Sequence, residues 1–320
     1  MRIVLVNLPR ALVATATVAL ALSACGSGTD SGDGDTVQVT TSFYPLEYAI
    51  EEVGGEHVEV TNLTKTGAEP HDLELTPRQI LEVSEADQLV YLKQFQPSVD
   101  DAAEEAGDAA FDVSSAARLD IAAEEHEHEG HDHEEGEGGD HAGHDHGSQD
   151  PHFWLDPTRY ADVADAIAER LAEDDPDHAA DYRANAKDFR STLTGLDKEL
   201  KTGLSDCRQT DLVTGHAAFA YFADRYGFHQ ESVSGLSPGA QPSPSAMADL
   251  IDHIKEEEIT TVYAETLVPQ DLAETLARDA GAEVAVLDPI EGITEESEGE
   301  DYLEVMRSNL AAVQKGQDCS

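Results

Sequence analysis

The sequence contains few cysteines and few basic residues, and each shortage excludes a class of protein. Three cysteines are too few for a zinc module built from thiolates. Only 19 Lys and Arg residues stand against 67 Asp and Glu residues, which gives a formal net charge of −48. Such a field repels phosphate groups and attracts cations, so we expect no nucleic-acid partner. No apolar run of about 20 residues follows the N-terminal segment, so we expect no membrane span in the mature chain.

Apolar residues, in contrast, are plentiful. The 320 residues are 40% hydrophobic, which is enough to form the cores of about two domains and excludes a globally disordered chain. Histidine is also frequent, with 14 copies. A chain that is acidic and rich in imidazole but poor in thiols favours binding of a divalent cation through nitrogen and oxygen ligands.

The N-terminal segment reads as a targeting signal. Ala11–Leu22 is a 12-residue apolar run, too short to span a membrane, and it is followed by Leu-Ser-Ala-Cys. This ending resembles the lipobox of bacterial lipoproteins, which implies that residues 1–24 are a signal peptide and that Cys25 is lipidated. Residues 25–35 then form a flexible tether on the outer face of the cytoplasmic membrane. The alternative is an ordinary cleaved signal peptide with an incidental cysteine.

The other two cysteines are candidates for a disulfide bond. Outside the cytoplasmic membrane the environment is oxidising, and no third cysteine remains once Cys25 is lipidated. Cys207 and Cys319 would then connect the C-terminal tail to the chain more than 100 residues earlier. The alternative is a pair of free thiols.

The rest of the chain alternates short strand patterns with amphipathic helix patterns, which is typical of parallel α/β units. We therefore predict an α/β fold of two similar lobes with parallel sheets, at residues 36–175 and 205–320. A long helix at residues 176–204 would connect the lobes rigidly. Its apolar positions recur every three or four residues, at Tyr182, Ala186, Phe189, Leu193, Leu196, Leu200 and Leu204.

Residues 124–150 differ from the rest of the first lobe because they are almost entirely His, Asp, Glu and Gly. Such a composition cannot bury apolar surface, so we expect a solvated loop. Its histidines could capture zinc near the main site, or the loop could be an insertion without a required role. They are His126, His128, His131, His133, His141, His144 and His146.

Four other residues are candidates for one metal site. His71 and His152 each precede a predicted helix, whereas His216 and Asp288 each follow a predicted strand. Ligands of open α/β sheets bind beyond the carboxyl ends of the strands, so these residues would meet in a crevice between the lobes. Three imidazoles and one carboxylate suit tetrahedral Zn²⁺. Taken singly, each of the four also has an ordinary structural explanation, such as a helix cap or a turn.

Three motifs give the sequence a resemblance to a known family. They are Pro-His-Asp-Leu-Glu-Leu-Thr-Pro at 70–77, Asp-Pro-His-Phe-Trp-Leu-Asp-Pro at 150–157 and His-Ala-Ala-Phe-Ala-Tyr-Phe-Ala-Asp-Arg-Tyr-Gly at 216–227. Together they resemble the zinc/manganese solute-binding proteins of ABC transporters. The resemblance implies two four-stranded α/β lobes joined by one helix. It also implies that His71, His152 and His216 are ligands and that Asp288 is the fourth, with Glu69 or water as alternatives.

The same resemblance indicates a function. The zinc-uptake members commonly carry a His-rich loop before the second ligand, so the implied protein is a monomeric zinc receptor without catalytic residues. Its partners would be a membrane permease and the cytoplasmic ATPase of that transporter. The alternatives are a Mn²⁺ receptor or surface adhesin of the same family, and a zinc-dependent hydrolase. The hydrolase lacks support, because the sequence has neither a His-Glu-x-x-His nor a Gly-x-Ser-x-Gly motif.

Overall fold

The computed structural model of the protein describes residues 36–122 and 149–320, which form two parallel sheets with flanking helices. All of these described residues belong to one compact unit. The predicted signal peptide, the tether with Cys25 and the seven histidines of the acidic loop lie outside the described residues.

The two sheets have the same topology. The first has the order β2-β1-β3-β4 and the second the order β6-β5-β7-β8, with every neighbouring pair parallel. The predicted fold class is therefore confirmed. The strands are β1 (Val37–Thr41), β2 (Val58–Asn62), β3 (Gln88–Tyr91), β4 (Ala110–Asp112), β5 (Asp211–Thr214), β6 (His229–Ser232), β7 (Thr261–Ala264) and β8 (Glu283–Val286).

Several helices begin where a polar cap precedes a proline. The side chains of Thr76, Asp156 and Ser243 each accept a hydrogen bond from a backbone N–H of the first turn that follows. The helices are α1 (Tyr44–Gly54), α2 (Pro77–Glu85), α3 (Pro97–Ala106), α4 (Ser114–Ala117), α5 (Pro157–Asp174), α6 (Ala179–Gly203), α7 (Ala220–Tyr226), α8 (Pro244–Glu256), α9 (Asp271–Ala280) and α10 (Tyr302–Gly316).

The long helix α6 is slightly shorter than predicted, because the chain forms a turn after Pro176 before the helix begins at Ala179. Its seven apolar positions are all buried. They join the largest hydrophobic core, which also includes Val39 of β1 and Leu212 of β5. One packed core therefore extends from the first sheet to the second through α6.

The C-terminal tail is covalently attached to the second half of the chain. Cys207 and Cys319 form a disulfide bond across a sequence separation of 112 residues, as the sequence analysis expected. The backbone of the same two residues forms an isolated antiparallel bridge. The end of the chain after α10 is thus held beside the start of the second sheet.

In residues 36–122 and 149–320, no helix has both the length and the apolar character that a membrane crossing requires.

Candidate metal centre

The three predicted histidines come together in the structure. His71 lies in the loop between β2 and α2, His152 lies shortly before α5, and His216 is the second residue after β5. His71 and His216 lie in loops that follow the carboxyl ends of β2 and β5, which is where crevices open in parallel sheets. All three imidazoles are buried, with at most 3% of any residue exposed.

The fourth residue of the group is Glu291, which lies in the loop between β8 and α10. Its Oε1 is 2.8 Å from Nε2 of His71, 3.0 Å from Nε2 of His152 and 3.5 Å from Nε2 of His216. The Nε2 atom of His152 is also 3.3 Å from that of His71 and 3.4 Å from that of His216. Three nitrogens and one carboxylate oxygen therefore face a common centre.

These separations match the needs of a tetrahedral ion. Zn²⁺ with bonds of about 2.0–2.1 Å places its ligand atoms about 3.3 Å apart. The five distances given above, from 2.8 to 3.5 Å, bracket that value. Within residues 36–122 and 149–320, this is the one group of His, Cys, Asp or Glu side chains close enough to hold a metal ion. The residues present therefore fit a bound zinc ion.

Asp288, the expected fourth ligand, is not in this group. Its carboxylate instead accepts hydrogen bonds from the backbone N–H of Ile290 at 2.8 Å and from Oγ of Ser297 at 2.9 Å. Its backbone is held on both sides by the Asn309 side chain. Asp288 lies outside the group because this short side chain folds back onto its own loop. Asp288 shapes the loop that presents Glu291.

The loop also contains a strained residue. Ile290 directly precedes Glu291 and has φ 58°, a left-handed conformation that costs a β-branched residue on the order of 1–3 kcal/mol. It is held there by the bond to Asp288 and by the indole N–H of Trp154, which donates to the carbonyl of Pro289 at 2.8 Å. The backbone before Glu291 is therefore fixed by packing from both halves of the chain.

Glu69, the alternative ligand, also lies outside the group. Its carboxylate accepts hydrogen bonds from the backbone N–H of His71 at 2.7 Å and of Asp72 at 3.4 Å. Burial raises the pKa of Glu69, and the nearby His71 partly opposes that shift. Glu69 therefore shapes the turn that carries His71.

Two buried carboxylates orient the other imidazoles. Asp150 accepts hydrogen bonds from the backbone N–H of His152 at 2.7 Å and lies 2.9 Å from Nδ1 of its ring. Glu265 does the same for His216, at 2.8 Å from the backbone nitrogen and 2.5 Å from Nδ1. With Nδ1 occupied in this way, Nε2 of each ring is directed at the common centre.

The electrostatics of the group favour a cation. Burial alone would lower the pKa of both His152 and His216, but Asp150, Glu265 and Glu291 outweigh it and raise both pKa values, that of His216 strongly. Burial would raise the pKa of Glu291, but the three imidazoles hold it well below its ordinary value. Three buried carboxylates thus surround three imidazoles, and either protons or a dication balance their charge.

The residues that the sequence analysis missed occupy recognisable positions. Glu265 directly follows β7, and Asp150 precedes His152 by two residues in the second motif. The sequence alone could have indicated both residues, because Glu265 is an acid at a strand end and Asp150 is an acid beside a candidate ligand. Glu291 had no such signal, because it lies five residues beyond β8 in an acidic stretch.

The role of Glu265 can be tested by substitution. We expect Glu265→Gln to weaken zinc binding about 10- to 100-fold, because the amide orients the His216 ring less firmly and no longer makes Nε2 more basic. Competition titration against a zinc chelator measures this loss. The exposed Glu256→Gln is the control. An unchanged affinity for Glu265→Gln would contradict the orienting role.

Comparison with known proteins agrees with the fold. The profile of the family described as "ZnuA: Zinc-uptake complex component A periplasmic" matches residues 39–316, which is most of the chain. The chain belongs to the ZnuA family. ZnuA proteins are solute-binding receptors, and the resemblance stated from the three motifs is thereby confirmed.

Relatives and structural neighbours carry similar descriptions. The chain is 35% identical over 314 residues to the zinc-binding lipoprotein AdcA of Streptococcus pneumoniae, covering 96% of this chain and 61% of that protein. It therefore spans less than two thirds of this ZnuA-family relative. It is 33% identical over 311 residues to the high-affinity zinc uptake system protein ZnuA of Bacillus subtilis, covering 94% of this chain and 95% of that one.

Two solved structures of the ZnuA fold are also similar. The laminin-binding protein Lmb of Streptococcus agalactiae, described as an adhesin with metal-transporting activity, has a TM-score of 0.73 and 29% identity, covering 88% of this chain and 99% of its own. Zn(II)-bound AdcA of Streptococcus pneumoniae has a TM-score of 0.72 and 31% identity, covering 88% of this chain and 58% of its own.

Proposed function

We propose that the protein is the extracytoplasmic receptor of an ABC-type zinc importer, which captures one Zn²⁺ and passes it to a membrane permease. The observation that carries the proposal is the buried group of His71, His152, His216 and Glu291, whose ligand atoms all lie within 4.8 Å of one another. We assign the four side chains as the zinc ligands. Membership of the ZnuA family and the zinc-binding relatives support this assignment.

The set of ligands favours transport of zinc over the alternatives. Three imidazoles and one carboxylate suit Zn²⁺, whereas Mn²⁺ prefers oxygen ligands. Four protein ligands also complete a tetrahedral shell, so no position remains for the water that a zinc hydrolase activates. The protein therefore binds and releases the ion unchanged and performs no catalysis. The manganese receptor and the adhesin remain the alternative functions within the family, and the adhesin gains support from the description of Lmb.

We also propose a location and partners for the receptor. We propose that residues 1–24 are removed, that the lipid on Cys25 anchors the chain to the outer face of the cytoplasmic membrane, and that residues 25–35 are the tether. The receptor would act as a monomer, with the two lobes and the connecting helix as predicted. Its partners are the permease and the cytoplasmic ATPase, and the His-rich loop at 124–150 would hold additional zinc weakly.

Metal content tests the proposal. Purified metal-free protein is titrated with Zn²⁺, and Mn²⁺ is then added in competition. We expect one tightly held Zn²⁺ that Mn²⁺ does not displace, and we expect its loss when His71, His152 and His216 are all replaced by alanine. His229→Ala removes an exposed histidine and is the matched control. Retention of stoichiometric zinc by the triple variant lacking residues 124–150 would refute the site, and tighter Mn²⁺ binding would refute the choice of metal.

A further inference from the structure

A cavity of about 510 Å³ adjoins the metal centre. Three segments line it: the start of α1, the residues from the end of β2 onward, and the loop after β8 that presents Glu291. The first two segments belong to the first half of the chain and the third to the second half. Its wall includes Glu47, Asn62, Thr64, Lys65 and Glu291.

The position of Glu291 connects this cavity to the ligands. Glu291 is only 1% exposed, yet it is part of the cavity wall, while its Oε1 contacts Nε2 of both His71 and His152. A centre whose four residues are at most 3% exposed needs a route by which an ion enters and leaves. The cavity offers that route on the side of Glu291.

The wall of the cavity has a polar arrangement that suits a cation. Glu47 is half-buried, and its Oε2 accepts a hydrogen bond from Nδ2 of Asn62 at 2.8 Å, so its carboxylate is fixed in place. Asn62 in turn accepts from the backbone N–H of Thr64 at 3.0 Å. Lys65 is exposed and is the one basic side chain of the wall. The carboxylate of Glu47 would therefore attract an approaching cation, and the ammonium of Lys65 would repel it.

Two further acids follow Glu47 on α1. Glu51 follows it by one turn of α1, and Glu52 is next to Glu51; both are exposed. Burial first, and then the charges of Glu47 and Glu52, raise the pKa of Glu51. Helix α1 thus adds negative charge next to the carboxylate of the cavity wall.

We infer that this cavity is the mouth of the metal site and that Glu47 is the carboxylate that receives the divalent cation before it reaches Glu291. This inference rests on the proposed zinc-binding function and adds the route by which the ion arrives. Glu47 lies outside the final ligand group, so it governs the rate of binding and has little effect on the bound state.

Association kinetics test the inference. Metal-free protein is mixed rapidly with Zn²⁺ at low ionic strength, and the reaction is followed by the fluorescence of Trp154, the single tryptophan, whose ring centroid is 5.2 Å from that of His152. A zinc-responsive dye in competition gives the same rate independently. We expect Glu47→Gln to slow association about fivefold and Lys65→Gln to accelerate it by a similar factor. Both differences shrink at high salt.

Controls separate this inference from the proposed function. Glu256→Gln removes an exposed acid of α8 outside the cavity and should leave the rate unchanged. Equal association rates for wild type, Glu47→Gln and Lys65→Gln would contradict the inference that zinc enters through this cavity. They would leave the proposed zinc site unaffected. A wild-type protein that takes up no zinc would overturn the proposed function itself.

Discussion

Replacing Glu291 by glutamine is expected to weaken zinc binding by at least about 100-fold, whereas Asp288→Asn should weaken it by about tenfold or less. Changes to residues that only orient ligands cost about 10- to 100-fold, and a direct ligand must cost more. The carboxylate of Glu291 contacts all three imidazoles. Glu291→Gln replaces it by a neutral amide and so removes the one negative charge among the four side chains. Asp288→Asn keeps an oxygen that can accept from Ile290, so the loop and Glu291 are largely retained.

The two variants form a matched pair, because each replaces one buried carboxylate of the same loop by its amide. Competition titration gives the zinc affinity, and thermal unfolding of the metal-free proteins shows whether each variant folds. If Asp288→Asn loses more affinity than Glu291→Gln while both remain folded, the assignment of Glu291 as the fourth ligand is wrong.

Zinc affinity should decrease already as the pH falls through neutrality. Neutral imidazoles bind zinc, and in the metal-free protein the buried carboxylates raise the pKa values of His152 and His216 above the ordinary 6.5. Both rings therefore carry protons at a higher pH than free imidazole, and zinc must displace them. The affinity should fall between about tenfold and 100-fold per pH unit below those raised pKa values, corresponding to one or two displaced protons.

The sign of this effect can be checked in two ways. Affinity measured across a pH series should rise with pH and level off only above the raised pKa values. Zinc added to weakly buffered protein at neutral pH should release protons. An affinity that stays constant from mildly alkaline to mildly acidic pH would show that the site binds zinc without displacing protons. Glu265→Gln provides a control, because loss of that charge should move the pH dependence of His216 to lower pH.

Much of the fold was predictable from local patterns. The strands at 211–214 and 261–264 are each a short run of β-formers, the pattern from which alternating α/β units were predicted. Helix α3 and strand β4 were not predicted: α3 consists mainly of Ala, Asp and Glu, and β4 is only three residues long. Neither contains enough apolar residues to produce a clear periodicity.

The metal site was predictable only in part, and the reason is geometric. Each histidine stands in a motif close to the start of a helix or the end of a strand, which made it a candidate ligand. The choice between Asp288 and Glu291 depends on how the loop after β8 folds. That fold rests on the left-handed Ile290 and on contacts with Trp154 and Asn309, which are distant in sequence. No local pattern contains that information.

The hydrophobic core that runs through α6 has a consequence for how the ion affects the whole molecule. Because the two sheets share this core, they are expected to unfold as a single cooperative unit. The four proposed ligands come from loops on both sides of the same core, so a bound ion would cross-link parts that already depend on each other. Under the proposed function, binding of the ion would stabilise the whole fold, and its release would leave the whole fold less stable.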